Sequence, residues 1–355
     1  MSAAPARALL PLLPPLALAA GLACVAGAAA LADCALLSAL LGRTANGLYA
    51  IIIQLAVADL LLLVTTLGPE IWSQNNRSWI FGNSACVVHQ GLNVFATTLS
   101  LYLVTTIALH AIATVNLEEK AVNRKSKKAD QDEDEEIRSS RHSLVATSSD
   151  SSTPPRTMNV DYRRLTDSKI LVTRPSLFVW VLSASLSVPE FTLASSVHFE
   201  NGIFICTLVD SNHKFYMRSL IALFNLFLPM FIMSIAFALI VVKLKARKRL
   251  REISDELVPS LKLSLCLIIV CIVLCIPRSI VDAYSVYSAS NDYDADSLLE
   301  SVLRNRPSDT IVAVNLALSG AYLAATLIRP ILCITLLPSL RTKFTFNFRN
   351  DIEIV

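Results

Sequence analysis

Residues 219–242 read SLIALFNLFLPMFIMSIAFALIVV, a run without a charged side chain. A helix needs about 20 consecutive apolar residues to cross the hydrocarbon layer of a membrane, and this run is long enough. Because lipid cannot satisfy backbone hydrogen-bonding groups, such a run is predicted to be helical. It belongs to a set of seven apolar segments, placed at 12–41, 48–70, 87–116, 175–197, 215–243, 260–287 and 310–336.

The composition of the 355-residue chain also indicates a membrane protein. Hydrophobic residues make up 54% and charged residues 17%, and the mean hydropathy is +0.56. A soluble domain would carry roughly a quarter charged residues. The net charge of +3 is too small to indicate nucleic-acid binding. The predicted fold class is an all-α membrane protein, a bundle of seven transmembrane helices.

The distribution of cations predicts the orientation of the bundle. Positively charged loops stay in the cytoplasm, so we expect the amino terminus outside and the carboxyl terminus inside. The cations cluster after the fifth segment, after the third segment and in the tail: Lys243, Lys245, Arg247, Lys248, Arg249, Arg251; Lys120, Arg124, Lys125, Lys127, Lys128; Arg341, Lys343, Arg349.

The first segment has an alternative interpretation. Arg7, the apolar run and the small residues 28–30 resemble a cleaved signal peptide. Cleavage would leave six helices and would place every basic loop outside, against the charge rule. The apolar run is also too long for the core of a signal peptide.

Two of the eight cysteines lie on the predicted outer side, and the other six lie within predicted helices. Cys86 begins the third segment and Cys206 lies between the fourth and fifth. On an oxidising face they are predicted to form a disulfide, the alternative being two free thiols. Asn76 begins an Asn-Arg-Ser glycosylation acceptor on the same face.

Motifs in several segments occur together in a characteristic order. Residues 55–60 read LAVADL, residues 79–82 read WIFG before Cys86, and Trp180 precedes Pro189 by nine residues. Single prolines follow in the last three segments: Pro229, Pro277 and Pro330. Over nearly its whole length the chain resembles the rhodopsin-like G-protein-coupled receptors, as a divergent member. The resemblance implies a multi-pass plasma-membrane receptor with an extracellular ligand and a heterotrimeric G protein or arrestin as partner.

The switch positions of that family hold other residues here. His110, Ala111 and Ile112 stand at the DRY motif, Cys275 at the tryptophan of CWxP, Cys333 at the tyrosine of NPxxY, and Phe237 at the tyrosine of helix five. In one interpretation the chain still signals through G proteins by substitute contacts. In the other it is a scavenger, a dimer partner or a constitutive modulator.

Charged residues within predicted helices are expected to have partners. Asp59 and Ser100 match positions of the family's sodium site, but Arg329 stands in the seventh segment. We predict an ion pair between Arg329 and Asp59 that replaces sodium. The alternative is that Arg329 extends toward the inner interface. Asp33 is a further carboxylate in the first segment, and the sequence leaves open whether its side chain faces the bundle interior.

The resemblance also places a ligand cavity toward the outer side. Asn93 stands where amine receptors have an aspartate, and its neutrality argues against monoamines. Other polar residues expected there are Glu70, Gln90, Glu190, Asn225, Arg278 and Asp282. This set favours a peptide or another polar ligand over a lipid. An internal pair between Arg278 and Asp282 is the alternative.

The domain organisation is a bundle over 1–348 with a long second cytoplasmic loop at 118–174. Blocks of like charge and low hydrophobicity predict that this loop is disordered. Its basic start is expected to lie against anionic membrane lipid. Ser143 and Thr166 are candidate phosphorylation sites, and a plain solvated linker is the alternative.

The carboxyl-terminal part is short. Residues 339–348 resemble the family's interfacial helix, and the tail 349–355 ends in Glu-Ile-Val, a weak signal for a PDZ protein. The sequence contains no enzyme motif, and we expect no catalytic residue, metal or cofactor. A transporter or channel is the alternative from another class, although no pair of internal repeats or broken helices indicates one.

Overall fold

The computed structural model describes residues 15–41, 47–76, 79–142, 172–198, 204–208, 211–245, 257–281, 283, 309–338 and 340–342. Among these residues, seven helices are long and apolar enough to cross a membrane. These spans, numbered first to seventh, are Ala20–Leu40, Gly47–Thr65, Gly82–Arg124, Thr173–Leu193, Ser219–Lys245, Leu257–Val281 and Ala317–Leu336. The predicted all-α seven-helix architecture is therefore confirmed, with boundaries shifted by several residues.

Most of the spans are parts of longer helices. The helices are α1 (Pro15–Leu40), α2 (Gly47–Asn76), α3 (Gly82–His142), α4 (Thr173–Leu193), α5 (Ser211–Ala222), α6 (Leu228–Lys245), α7 (Leu257–Val270) and α8 (Asp309–Leu336). A π-helical turn at Leu223–Phe227 joins α5 to α6, and a second at Cys271–Cys275 follows α7. Two strands, β1 (Ala194–His198) and β2 (Phe204–Leu208), form an antiparallel hairpin with Ser196 opposite Cys206.

A proline follows each of the two π-helical turns, although Pro189 and Pro330 lie inside helices without such a turn. Each turn ends two residues before a proline, Pro229 in the fifth span and Pro277 in the sixth. Proline lacks the backbone N–H that continues an α-helical ladder, and its ring crowds the preceding turn. A local π-helical turn widens the helix at that point and changes which side chains face inward.

The third span lies at the centre of the bundle and packs against the second, fourth, fifth and sixth spans. Its side chains Leu99, Leu103 and Ile107 are fully buried. Lipid tails are as apolar as these side chains, so close packing and polar contacts between helices, rather than exclusion of water, hold the spans together. The first span packs against the second and seventh.

The structure differs from the sequence prediction after the third span. Residues 118–142 continue α3 as one helix to His142, where the disordered loop 118–174 was expected to begin. The physical reason is local, because these residues are rich in Glu, Lys and Arg and contain no glycine or proline. The rest of that loop, with Ser143 and Thr166, lies outside the described residues except Val172 and the start of α4.

We call the end of the bundle that carries the hairpin the outer end and the opposite end the inner end, following the orientation predicted from the charges. Beyond the seventh span, Leu340 and Arg341 donate backbone hydrogen bonds to the carbonyl of Leu337, which forms a short helical turn. This turn lies within the predicted interfacial helix 339–348, whose remaining residues, like the tail 349–355, are outside the described part of the chain.

Candidate functional site

A buried polar network joins four spans in the middle of the bundle. Arg329 of the seventh span places Nη1 2.6 Å from Oδ1 of Asp59 in the second span. The same nitrogen donates to the hydroxyl of Ser100 in the third span, and Ser100 in turn donates to Asp59 Oδ1 at 3.0 Å. Nη2 donates to Sγ of Cys275 in the sixth span at 3.3 Å. The sequence-predicted residues of this pair therefore lie together.

Burial decides between the two interpretations of Arg329. The side chains of Arg329 and Asp59 are each 1% exposed, so the guanidinium does not extend to the inner interface. Its position at Asp59 is where the resemblance places sodium, and a guanidinium there repels a second cation. Removing one member of such a buried pair costs about 3–5 kcal/mol because the other charge is left without compensation.

The π-helical turns help to place polar groups of the fifth and sixth spans. Asn225 lies in the middle of the first turn, is 5% exposed, and donates Nδ2 to Oγ1 of Thr98 at 2.9 Å. Cys275 ends the second turn and faces Arg329. The prolines were visible in the sequence, but the direction in which each turn points its side chains was not.

A cavity of about 110 Å³ lies among the third, fourth, fifth and sixth spans. Four of the predicted ligand residues line it: Gln90, Asn93, Glu190 and Asn225. Thr97 and Ser279 add hydroxyl groups to the lining. The structure thus gathers amide, hydroxyl and carboxyl groups around one space, and its chemistry suits hydrogen bonding with a polar group.

Among the remaining predicted ligand residues, Arg278 has a described side chain, and it does not line this cavity. Arg278 donates Nη1 to Ser319 Oγ at 2.9 Å, and its guanidinium lies 5.8 Å from the ring centroid of Tyr322. Arg278 therefore bridges the sixth and seventh spans. The side chains of Glu70 and Asn76, and the whole of Asp282, lie outside the described part of the structure.

The hairpin is attached to the outer end of the third span at several points. Cys86 and Cys206 form a disulfide with their Cα atoms 5.5 Å apart. Oδ1 of Asn83 accepts hydrogen bonds from the Ser195 hydroxyl at 2.9 Å and from the Ser196 amide at 2.8 Å. Sequence reasoning found the cysteine pair but missed Asn83, because nothing in the spacing links it to residues more than one hundred positions away.

The inner end carries a contact that the sequence did not reveal. Nζ of Lys243 in the fifth span lies 2.6 Å from Oε2 of Glu119 in α3. Their side chains are 25% and 23% exposed, so this pair is partly solvated. It ties together two helices on the face where the resemblance places coupling to a G protein.

The altered switch positions have different surroundings. Ala111, Ile112 and Cys333 are buried, whereas Phe237 is 37% exposed and faces away from the core. His110 lies against the start of the second span, where a Cβ on Gly47 would come within 2.9 Å of His110 Nε2 and 2.5 Å of Val172 Cγ2. Pro330 is buried beside Arg329 within α8.

Part of the chain is similar to a known protein family. Residues 158–327 match the family described as 7 transmembrane receptor (rhodopsin family). The matched residues include the fourth, fifth and sixth spans and more than half of the seventh. No curated protein is similar enough to this chain to count as a match.

Proposed function

We propose that this chain is a receptor of the rhodopsin family of seven-transmembrane receptors, because residues 158–327 match that family and the described residues include seven helices long and apolar enough to cross a membrane. The chain is a multi-pass membrane protein that binds a polar extracellular ligand, of which a peptide is the leading class. It lies in the plasma membrane and passes the signal to a heterotrimeric G protein or an arrestin.

The polar cavity carries this proposal. Ligand sites fix orientation through a few convergent polar groups, and here Gln90, Asn93, Glu190 and Asn225 converge. The hydrocarbon chain of a lipid makes no hydrogen bond with such groups, whereas a polar ligand does. Asn93 on the third span is neutral and does not offset the charge of an amine, so the carboxyl group of the described lining belongs to Glu190 of the fourth span.

The size of the cavity supports a peptide over a small molecule. Its volume of about 110 Å³ is small beside the roughly 300–1,000 Å³ of pockets that enclose a drug-sized ligand. It therefore holds one side chain or terminus of a ligand. The hairpin β1–β2 adjoins the cavity, since Gln90 donates Nε2 to Sγ of Cys206 at 3.7 Å. Its exposed Phe204 offers a contact for the rest of an extended ligand.

Coupling through the inner end requires substitute contacts. The arginine of the family's DRY motif is Ala111 here, which is 1% exposed and brings no cation. The pair Lys243–Glu119 instead holds the inner ends of two spans. A partly exposed pair contributes about 0–1 kcal/mol, so it can open at little cost when a partner approaches.

A screen of cells that express the chain tests the proposal. The cells are exposed to fractionated peptides and to polar small molecules, and nucleotide exchange and arrestin recruitment are measured in parallel. A peptide that triggers either response, and that loses potency with Asn225→Ala or Gln90→Ala, supports the function. A response that is unchanged by both substitutions places the ligand elsewhere.

A second function is favoured by the loss of the arginine at Ala111. A receptor that binds ligand without coupling acts as a scavenger, a dimer partner or a constitutive modulator. Ligand uptake without nucleotide exchange or arrestin recruitment would identify it. Ligand-independent ion current or flux would instead indicate the transporter or channel alternative.

Three covalent modifications and two binding partners also belong to the proposal. We expect glycosylation at Asn76, phosphorylation at Ser143 and Thr166, association of the basic residues after the third span with anionic lipid, and a PDZ partner at the carboxyl terminus. Peptide mass spectrometry of the protein from its expressing cells tests the three modifications directly.

A further inference from the structure

Asp33 in the first span is a buried carboxyl group without a visible partner. Its side chain is 1% exposed, and neither carboxylate oxygen has a hydrogen-bond partner among the described residues. It lies in the middle of a membrane span. An ionised carboxylate in such surroundings is strongly disfavoured unless a cation or several donors compensate its charge.

The groups around Asp33 do not supply that compensation. The first span packs against the second and seventh spans, and among the described residues Asp33 interacts electrostatically with Asp59, Arg329 and Cys333. Arg329 already donates Nη1 to Asp59 and Ser100 and Nη2 to Cys275. Asp59 would repel a second negative charge.

The buried groups Asp33, Asp59 and Arg329 comprise two carboxyl groups and one cation, so one carboxyl group has no countercharge. Asp59 accepts hydrogen bonds from Arg329 and Ser100 on Oδ1, the arrangement of a carboxylate paired with a guanidinium, whereas Asp33 has no such donor among the described residues. With Asp59 and Arg329 both charged, their charges cancel. An ionised Asp33 would add one uncompensated negative charge to the interior of the bundle.

We propose that Asp33 is a proton-binding site, a neutral carboxylic acid while the bundle is closed. When water reaches the junction of the first, second and seventh spans, the O–H bond breaks, the proton passes to water and the carboxylate remains. A change of bundle state that hydrates this junction therefore releases one proton. This site is independent of the ligand cavity and of the mode of coupling.

The first test measures thermal stability of the purified full chain between pH 5 and 7. An ordinary aspartate is ionised at these pH values, since its reference pKa is about 3.9. The folded chain keeps the proton and the unfolded chain releases it, so stability falls as pH rises. The unfolding equilibrium constant of the unmodified chain should rise about tenfold per pH unit relative to that of Asp33→Asn.

Two controls make this test specific. Glu119→Gln removes a carboxylate that is 23% exposed, and it should keep the pH dependence of the unmodified chain. Melts at fixed pH in a sodium salt and in an organic-cation salt should coincide. Sodium-specific stabilisation that disappears in Asp33→Asn would overturn the proposal in favour of a metal-ion site.

Infrared spectroscopy observes the proton directly. The unmodified chain should show the C=O stretching band of a protonated carboxylic acid in an apolar site, and the band should be lost in Asp33→Asn. If that variant does not fold, Asp33→Glu should shift the band. Absence of the band in the unmodified chain, or the same pH profile in Asp33→Asn, would refute proton binding at Asp33.

Discussion

Replacement of either member of the Asp59–Arg329 pair should be more harmful than replacement of both. At the observed 2.6 Å, two unit charges attract by roughly 6 kcal/mol at an effective dielectric constant of 20. Desolvation costs several kcal/mol for each ion, so the intact pair contributes little net stability. A single replacement removes the attraction but leaves one desolvated charge, at a cost of about 3–5 kcal/mol.

Thermal melts of four proteins measure this effect. They are the unmodified chain, Asp59→Asn, Arg329→Asn and the double variant. We expect a favourable coupling energy of about 1–3 kcal/mol between the two sites, seen as partial recovery in the double variant. The exposed pair Lys243–Glu119 provides a matched control cycle, which should give about 0.2–1 kcal/mol.

The same four melts test for sodium. A cation placed about 4 Å from the Arg329 guanidinium would be repelled by roughly 4 kcal/mol at a dielectric constant of 20. The unmodified chain should therefore melt at the same temperature in sodium and in an organic-cation salt. Strictly additive losses in the cycle, or stabilisation by sodium alone, would contradict the assignment of Arg329 as the internal cation.

Three further predictions concern the two ends of the bundle. Mass spectrometry of non-reduced peptides should find Cys86 linked to Cys206, because the structure joins them. Ala111→Arg should increase ligand-driven nucleotide exchange, because it restores the cation that the family presents to its G protein. Gly47→Ala should lower the melting temperature, since its methyl group would lie 2.5 Å from Val172, and overpacking of this kind costs about 1–3 kcal/mol.

Each of these predictions has an outcome that contradicts it. Alkylation of both cysteines in the folded protein would exclude the disulfide. Strong exchange by the unmodified chain, with no gain from Ala111→Arg, would show that substitute contacts suffice. Gly27→Ala is the control for Gly47→Ala, because nothing lies within 4 Å of its added Cβ; equal melting temperatures of the two variants would argue against the close contact.

The sequence by itself determined the number and approximate place of the membrane spans. In lipid each segment must satisfy its own backbone, so a run such as 219–242 specifies a helix without reference to the rest of the chain. The spans are local features, and local composition suffices to predict them. The prolines do not suffice in the same way, because Pro229 and Pro277 follow π-helical turns whereas Pro189 and Pro330 lie inside α-helices.

Local composition did not predict the length of α3. The charge pattern after residue 118 predicted disorder, yet α3 continues to His142. The same residues have two properties, since they are polar enough to remain solvated and they are strong helix formers. A preceding long helix supplies the nucleus that such a segment lacks alone, and it can then continue from that nucleus.

The tertiary structure decided which side chains meet. A small rotation of the first span would move Asp33 from the core to lipid, and only packing against the second and seventh spans buries it. The partners of Arg278, Asn83 and Lys243 come from elements far along the chain. Hydropathy indicates that a helix crosses the membrane, but the rotation of each helix about its own axis is set by its neighbours.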